Sequence, residues 1–524
     1  MILWLLAACD PTPGDSASPD RRPVDSSVTG DTADSGDTGD TADSVDSGDS
    51  ADTGDSGDPW VVDEAVDVVI IGAGVAGLSA AIEAREAGAS VVILEREPEA
   101  GGAAMWAGGL MMFSGSPEQA SAGIVDSPEQ LAAEWPDFTG GDVTDPWFQF
   151  FAENNVAMVH DWLEGFGVSW TVPGGDPSSG VTDRVEEVEG EGEALVQALL
   201  DQQPDLDLRL ASTAEELLVH DGRVAGVRWT DASGEHTLGA DAVIVATGGF
   251  LRDLDRVRAL FPELDDTQLA YGSFVGADGA GLTMLEGLGA RTQNLQAIGF
   301  YAHGTLDPDT ALSEVVTLDM SSAPWVNLSA ERFVDESGVN SFIVGRTRVN
   351  QPGGLAWLVA DRHFEATRFL NPATGRFRSL EELVNAGIAL RADDLDALAG
   401  SVGLDATTLG TTVAEWNDSA DGRVTDPYRD PAADPGVPVR DAPFYAVPVA
   451  ASAAKAFGGV DVDLQGRVLD TDGNPIPGVY AAGEVSGMAG GSMVGDYGFT
   501  GSLTAVVLGG RVAGENAGAE AVGR

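Results

Sequence analysis

The stretch that most constrains this chain runs from Val66 to Glu97, VDVVIIGAGVAGLSAAIEAREAGASVVILERE. An apolar run, Val68 to Ile71, enters a glycine turn at Gly72, Gly74 and Gly77. A helix of small residues follows to Ala87, Gly88 ends it, and a second apolar run closes at Glu95. Strand, turn, helix, strand and acid in this register predict a βαβ unit that takes a dinucleotide. Gly72 permits the tight turn, and Gly74 lets backbone approach a pyrophosphate. Gly77 lets helix and strand pack closely, with the helix N-terminus facing the phosphates. Glu95, 18 residues past Gly77, is placed to accept hydrogen bonds from a ribose.

A chain of 524 residues with 43% hydrophobic content has room for two or three domains with ordinary cores. Its formal charge of −58 is extreme, and 14 Asp against Arg21 and Arg22 in the first 58 residues account for −12 of it. The remainder argues against a nucleic-acid partner and requires a local cationic pocket for any anionic substrate. The single Cys, Cys9, rules out internal disulfides, thiolate clusters and CxxCH haem attachment within this sequence. Five scattered His offer no HExxH-type spacing, so no metal site is expected. No internal apolar run reaches the ~18 residues of a membrane span.

The opening, MILWLLAACD, resembles a bacterial lipobox around Leu6-Ala7-Ala8-Cys9. Residues 1–9 are therefore expected to be a lipoprotein signal, and the protein to be exported and lipid-anchored to the bacterial cell envelope, touching the membrane by that anchor only. From Asp31 to Asp58 an Asp recurs every third residue. No core can form from such a run and like charges extend it, so residues 10–63 read as a disordered acidic tether. Beyond Glu95, AGGAAMWAGG brings Gly101 and Gly102 where backbone can lie against a cofactor. Pro146 to Gly165 and Leu195 to Leu200 carry helical periodicity, whereas LDLRLAST, EELLVHDGRVAGVRW and DAVIVATGGF read as strands. The last of these meets a glycine turn at Ala246, Thr247 and Gly248 and is expected to return to the parallel sheet. From about Gln296 to Ala454 βαβ alternation is absent, as in an inserted domain. The final GSLTAVVLGGRVAGENAGAE reads as a helix with small residues on one side.

Taken in order, GAGVAG with Glu95, ATGGF at Ala246 to Phe250, ERFVDE at Glu331 to Glu336, FGGV at Phe457 to Val460, IPGVYAAGE at Ile476 to Glu484, and GRVAGENA resemble one family: the FAD-binding fumarate reductase flavoproteins and 3-ketosteroid dehydrogenases. The resemblance implies an α/β fold: a discontinuous, Rossmann-like FAD-binding domain of glutathione-reductase type at residues 64–296 and 456–524, and an inserted α+β capping domain at 297–455. It implies non-covalent FAD and hydride transfer between flavin N5 and a C–C or C=C bond beside a carbonyl. It also implies that Glu484 binds the ribityl chain, and that Gly501, Ser502 and Leu503 open a helix near flavin N1 and C2=O, where a helix dipole stabilises negative charge on the reduced flavin.

At the catalytic positions the chain departs from fumarate reductases. Eight residues beyond Arg332, where they carry the proton-donating Arg, stands Asn340; their substrate-binding His corresponds to Lys455; the Arg of their late RLGG motif falls near Tyr497. Two of the three groups that clamp and protonate a dicarboxylate are thus neutral. Lys455 is the only Lys beside 26 Arg, and a compact ammonium next to FGGV can face a carbonyl or carboxylate. Tyr497, Tyr301 and His303 are further candidates for polarising a carbonyl or moving a proton. The leading expectation is an FAD oxidoreductase acting on an enone, ketone or carboxylate and exchanging electrons with an external carrier, a quinone or O₂. A dicarboxylate reductase and a catalytically altered flavin-binding surface protein remain alternatives.

Overall fold

The computed structural model of the protein describes residues 61–171, 181–264, 269–271, 273–274, 276–306, 315–318, 322–336, 341–364, 369–371, 376–429, 436–488 and 493–524. Within them the 66–97 stretch folds as strand β1 (Glu64–Ile71), helix α1 (Val75–Glu86) and strand β2 (Val91–Leu94). Val68 to Ile71 are all buried, as a central parallel strand covered on both faces demands. The chain continues through β3 (Leu110–Met112), β4 (Val185–Glu187), β5 (Asp207–Arg209), β6 (Thr213–His220), β7 (Arg223–Asp231) and β8 (Gly234–Val245).

β8 has two pairing modes. Its first half runs antiparallel to β7, which pairs β6, and its second half lies parallel to β1, with Ile70 opposite Ile244. Later come β9 (Ile298–Leu306), helix α2 (Ser341–Val349), β10 (Ala450–Ala456), β11 (Pro475–Ala481) and helix α3 (Leu503–Val522). β11 re-enters the first sheet beside β8, giving a parallel core in the order β11-β8-β1-β2-β5. The strands between β9 and β10 form two other, mainly antiparallel sheets. β9 pairs β10, and Trp357–Asp361 pairs Phe444–Pro448. Leu269–Tyr271, ahead of β9 in sequence, joins β10 in parallel.

The residues from Pro146 to Glu164, expected as one helix, form α-helix at Pro146–Asn154, a π-turn at Asn155–His160 and α-helix again at Asp161–Glu164. Asn155 explains the interruption: its side-chain amide donates to Phe151 O and Ala152 O, and its Oδ1 accepts the Ser114 N–H. The ERFVDE motif is a buried structural knot. Arg332 donates to Glu336 at 2.6 and 2.7 Å and to Asp426 at 2.8 Å, and lies over the Trp416 ring.

α1 and α3 touch backbone to backbone. A methyl group added at Gly510 would lie 2.4 Å from Ala76 O, one at Gly514 2.2 Å from Ala80 O, and one at Gly518 2.8 Å from Ala84 Cα. Glycines four apart on α3 thus ride on alanines four apart on α1, so small residues are required on both sides. A side chain at Gly514 would prise the helices apart. Gly514→Leu is expected to destabilise the protein by about 1–3 kcal/mol or more through overpacking, read as a lowered thermal midpoint by circular dichroism. An unchanged midpoint would contradict this packing.

Candidate active site

β1 delivers the chain to Gly72 with φ +103°, a left-handed geometry that an L side chain resists, and a Cβ there would meet Ala246 O at 2.5 Å. Gly77 lies one helical turn on, where a Cβ would strike Gly72 O at 2.0 Å. Gly77 is therefore the packing glycine, and it does not line the cavity that opens above the turn. Gly74 faces open space instead, its nearest contact for a Cβ being Gly101 O at 4.0 Å. It precedes the first turn of α1, whose N–H groups have no side-chain cap, which leaves donors and a positive dipole end aimed at the cavity.

That cavity, of about 320 Å³, runs over the carboxyl ends of the parallel strands, where open α/β sheets bind ligands. At one end Glu95 accepts the N–H of Ala73 at 2.7 Å on one oxygen and that of Glu97 at 2.9 Å on the other. Each oxygen retains a lone pair for a ribose hydroxyl. Gly101 and Gly102, with φ +114° and +53°, and Ala246, Thr247 and Gly248 line the middle. At Gly248, with φ +78°, a Cβ would meet nothing within 4 Å, so backbone forms that wall. Glu484, Ser502 and Leu503 line the other end. Gly501, with φ +89°, is spent on packing, because a Cβ there would lie 2.5 Å from Met112 N. The α3 N-terminus is fastened to β3 by the Thr504 hydroxyl accepting the Met112 N–H at 2.9 Å.

Glu484 Oε1 accepts the Ala456 N–H at 2.8 Å. Burial raises its carboxyl above the ordinary range, opposed by that N–H and by the Lys455 charge. Lys455 in β10 and Tyr301 in β9 both line this end. Phe342 of α2 joins them: the Tyr301 ring stacks on it at 4.8 Å, and Lys455 Nζ lies 5.6 Å from its centroid. Tyr497 is not among the cavity-lining residues. Its ring packs beside Gly140 and its N–H donates to Thr139 O at 3.2 Å. The His303 side chain and Asn340 lie outside the described residues. Residues the sequence did not single out also line the cavity: Arg96, ion-paired to Asp278, together with Ser212, Thr213 and Trp106. Phe342 does not itself line the cavity but backs the Tyr301 and Lys455 end of it. Their roles depend on contacts distant in sequence.

A glycine cradle, an uncapped helix N-terminus for a diphosphate and an acid for a ribose fit FAD and define a dinucleotide-binding α/β flavoprotein. A model of the FAD binding domain matches residues 67–495, and the chain belongs to that family of FAD-dependent oxidoreductases acting on CH–CH groups. It is 31% identical over 469 residues to a fumarate reductase (cytochrome) of Shewanella frigidimarina, covering 87% of this chain and 77% of that protein. It is 30% identical to a urocanate reductase of Eggerthella lenta, covering 87% and 75%. Among solved structures, the 3-ketosteroid-Δ4-(5α)-dehydrogenase of Rhodococcus jostii RHA1 shares the fold, with a TM-score of 0.69 at 23% identity over 88% of this chain and 99% of that one.

The two glycines separate ligand binding from folding. Gly74→Leu is expected to lower FAD occupancy at least tenfold, read by flavin absorbance, with far-UV circular dichroism retained. Gly77→Leu is expected to cost fold stability itself. Normal flavin content in Gly74→Leu would sink this assignment.

Proposed function

We propose that the protein acts on a C–C or C=C bond beside a single carbonyl or carboxylate in a substrate with a flat apolar body. The observation that carries this reading is the makeup of the cavity beyond Glu484: one ammonium, Lys455, and one phenol, Tyr301, from neighbouring strands, backed by Phe342. Among the described cavity-lining residues the other cation is Arg96, which sits beside Glu95 and is paired with Asp278. One ammonium anchors one oxygen, whereas a dicarboxylate calls for two cationic anchors. That balance favours an enone, ketone or monocarboxylate over fumarate.

Bound FAD supplies hydride exchange at flavin N5. Lys455 orients and polarises the substrate oxygen, which makes the β-carbon electrophilic in one direction and the α-proton acidic in the other. Tyr301 gives or takes the proton at the α-carbon, ahead of Tyr497, which is turned to Gly140. The aromatic wall excludes water and strengthens both interactions. We assign residues 64–296 and 456–524 to the FAD-binding part and 297–455 to the cap. Electrons pass to or from an external carrier, a quinone or O₂. Among the described residues no helix is long and apolar enough to cross a membrane, and we assign attachment to a lipid on Cys9.

Anaerobic stopped-flow of the photoreduced holoprotein against enones, unsaturated monocarboxylates and fumarate tests the chemistry. Reoxidation by an enone or monocarboxylate is expected, with kcat/KM lowered about 10²–10⁴-fold in Lys455→Met and about tenfold or more in Tyr301→Phe. Reoxidation by fumarate alone, undiminished in Lys455→Met, would overturn the reading, as would silence toward the whole panel. For the anchor, mass spectrometry of protein from its native host is expected to find Cys9 as an acylated N-terminus; an unmodified Cys9 thiol there contradicts it.

A further inference from the structure

A second cluster of ionisable side chains lies apart from the FAD cavity. Glu118, His160 and Glu164 each offer a ligand atom, all within 4.8 Å of one another. His160 closes the π-turn, its ring wholly buried, stacked on Trp170 at 5.0 Å and edge-on to Phe113 at 5.1 Å. Its Nε2 is 2.7 Å from Glu118 Oε2 and 3.7 Å from Glu186 Oε2.

Glu186 supplies the independent observation. Its side chain is wholly buried in β4, and Oε1 accepts the Ser116 hydroxyl. Oε2 has no hydrogen-bond partner and is aimed at His160 Nε2. A buried carboxylate oxygen without a partner is costly unless a cation or a proton compensates it.

We propose that Glu118, His160, Glu164 and Glu186 form a binding site for a first-row divalent cation of the Zn²⁺ or Mn²⁺ type. Three carboxylates and one imidazole suit such ions, whereas Ca²⁺ takes oxygen ligands. Metal–ligand bonds of about 2.0–2.2 Å at tetrahedral angles set neighbouring ligand atoms about 3.3–3.6 Å apart, a spacing that the observed 2.7 and 3.7 Å around Nε2 bracket; Glu164 Oε2, 4.0 Å from Nδ1 at the exposed rim, reaches the ion by turning its side chain. Asp161 Oδ1 lies 3.0 Å from His160 Nδ1, placed to accept its N–H in the tautomer that leaves the Nε2 lone pair for the metal. Access is from the rim, where the Glu118 and Glu164 side chains are 21% and 47% exposed. His and Glu spacing in the sequence hides the site because its ligands come from three separate segments. A bound ion would clip β4 to the π-turn with the helix that follows it, and to the short helix Pro117–Ser121.

The test uses the full-length holoprotein, stripped with EDTA and titrated with Zn²⁺ or Mn²⁺ in 0.15 M salt and excess Mg²⁺, which suppress diffuse binding to an acidic surface. Calorimetry and metal analysis after dialysis are expected to give one tight equivalent. Glu164→Gln, at the exposed rim, and Glu186→Gln are each expected to weaken binding at least tenfold, and Asp161→Asn about 10–100-fold. Flavin content reports that each variant has folded. No stoichiometric binding, or binding equally tight in Glu164→Gln and Asp161→Asn, overturns the proposal.

Discussion

The position of the α1 N-terminus is the constraint on which the rest depends. Three sets of contacts without side chains hold it. Gly77 rests on Gly72 O, Gly72 on Ala246 O, and Gly510, Gly514 and Gly518 of α3 on the alanines of α1. Each is shorter than any Cβ would allow, so the helix cannot slide without separating the strands or losing α3. A phosphate site made of backbone N–H groups has value only if those groups are immobile. The close packing that makes the fold stable is therefore what preorganises the binding site.

The charge balance makes this more demanding. A chain of formal charge −58 repels an anionic ligand at long range, a repulsion that the backbone donors and dipole of the α1 N-terminus are placed to offset at short range. At the Glu484 end the described lining carries one cation, Lys455, with Glu484 and Tyr301 beside it. The Arg residues are largely engaged elsewhere: Arg332 with Glu336 and Asp426, Arg184 with Asp126 and Glu134, Arg291 with Asp461.

Much of the cofactor site was legible before any coordinates. Gly72, Gly74, Gly77, Glu95, Gly248 and Glu484 sit in ordered motifs whose physical tasks are local: a turn, a helix start, an acid at a strand end. The division of labour among them was legible only in part. Gly77 as a packing residue followed from its place in the fingerprint, but Gly501 spends itself on Met112 of β3, a contact across several hundred residues. Tyr497 shows the same limit, since its motif position placed it with the substrate whereas the loop carries its ring to Gly140. The π-turn at Asn155–His160 was hidden because its periodicity differs from an α-helix by one residue, and its cause is a side-chain bridge to Ser114.

By itself the sequence determined the βαβ unit and the return of a late segment to the first sheet, because glycine placement and apolar periodicity act over a few residues; the FAD class and the candidate Lys455 came from the resemblance of its ordered motifs to one family. Tertiary structure alone decided which candidates share a cavity, that Phe342 backs Tyr301 and Lys455, and that Glu118, His160, Glu164 and Glu186 meet. Those outcomes depend on how β9 and β10, or β4 and the helices beside the π-turn, are set against each other. Such placements come from packing and hydrogen bonds summed over distant residues, and no local pattern encodes them.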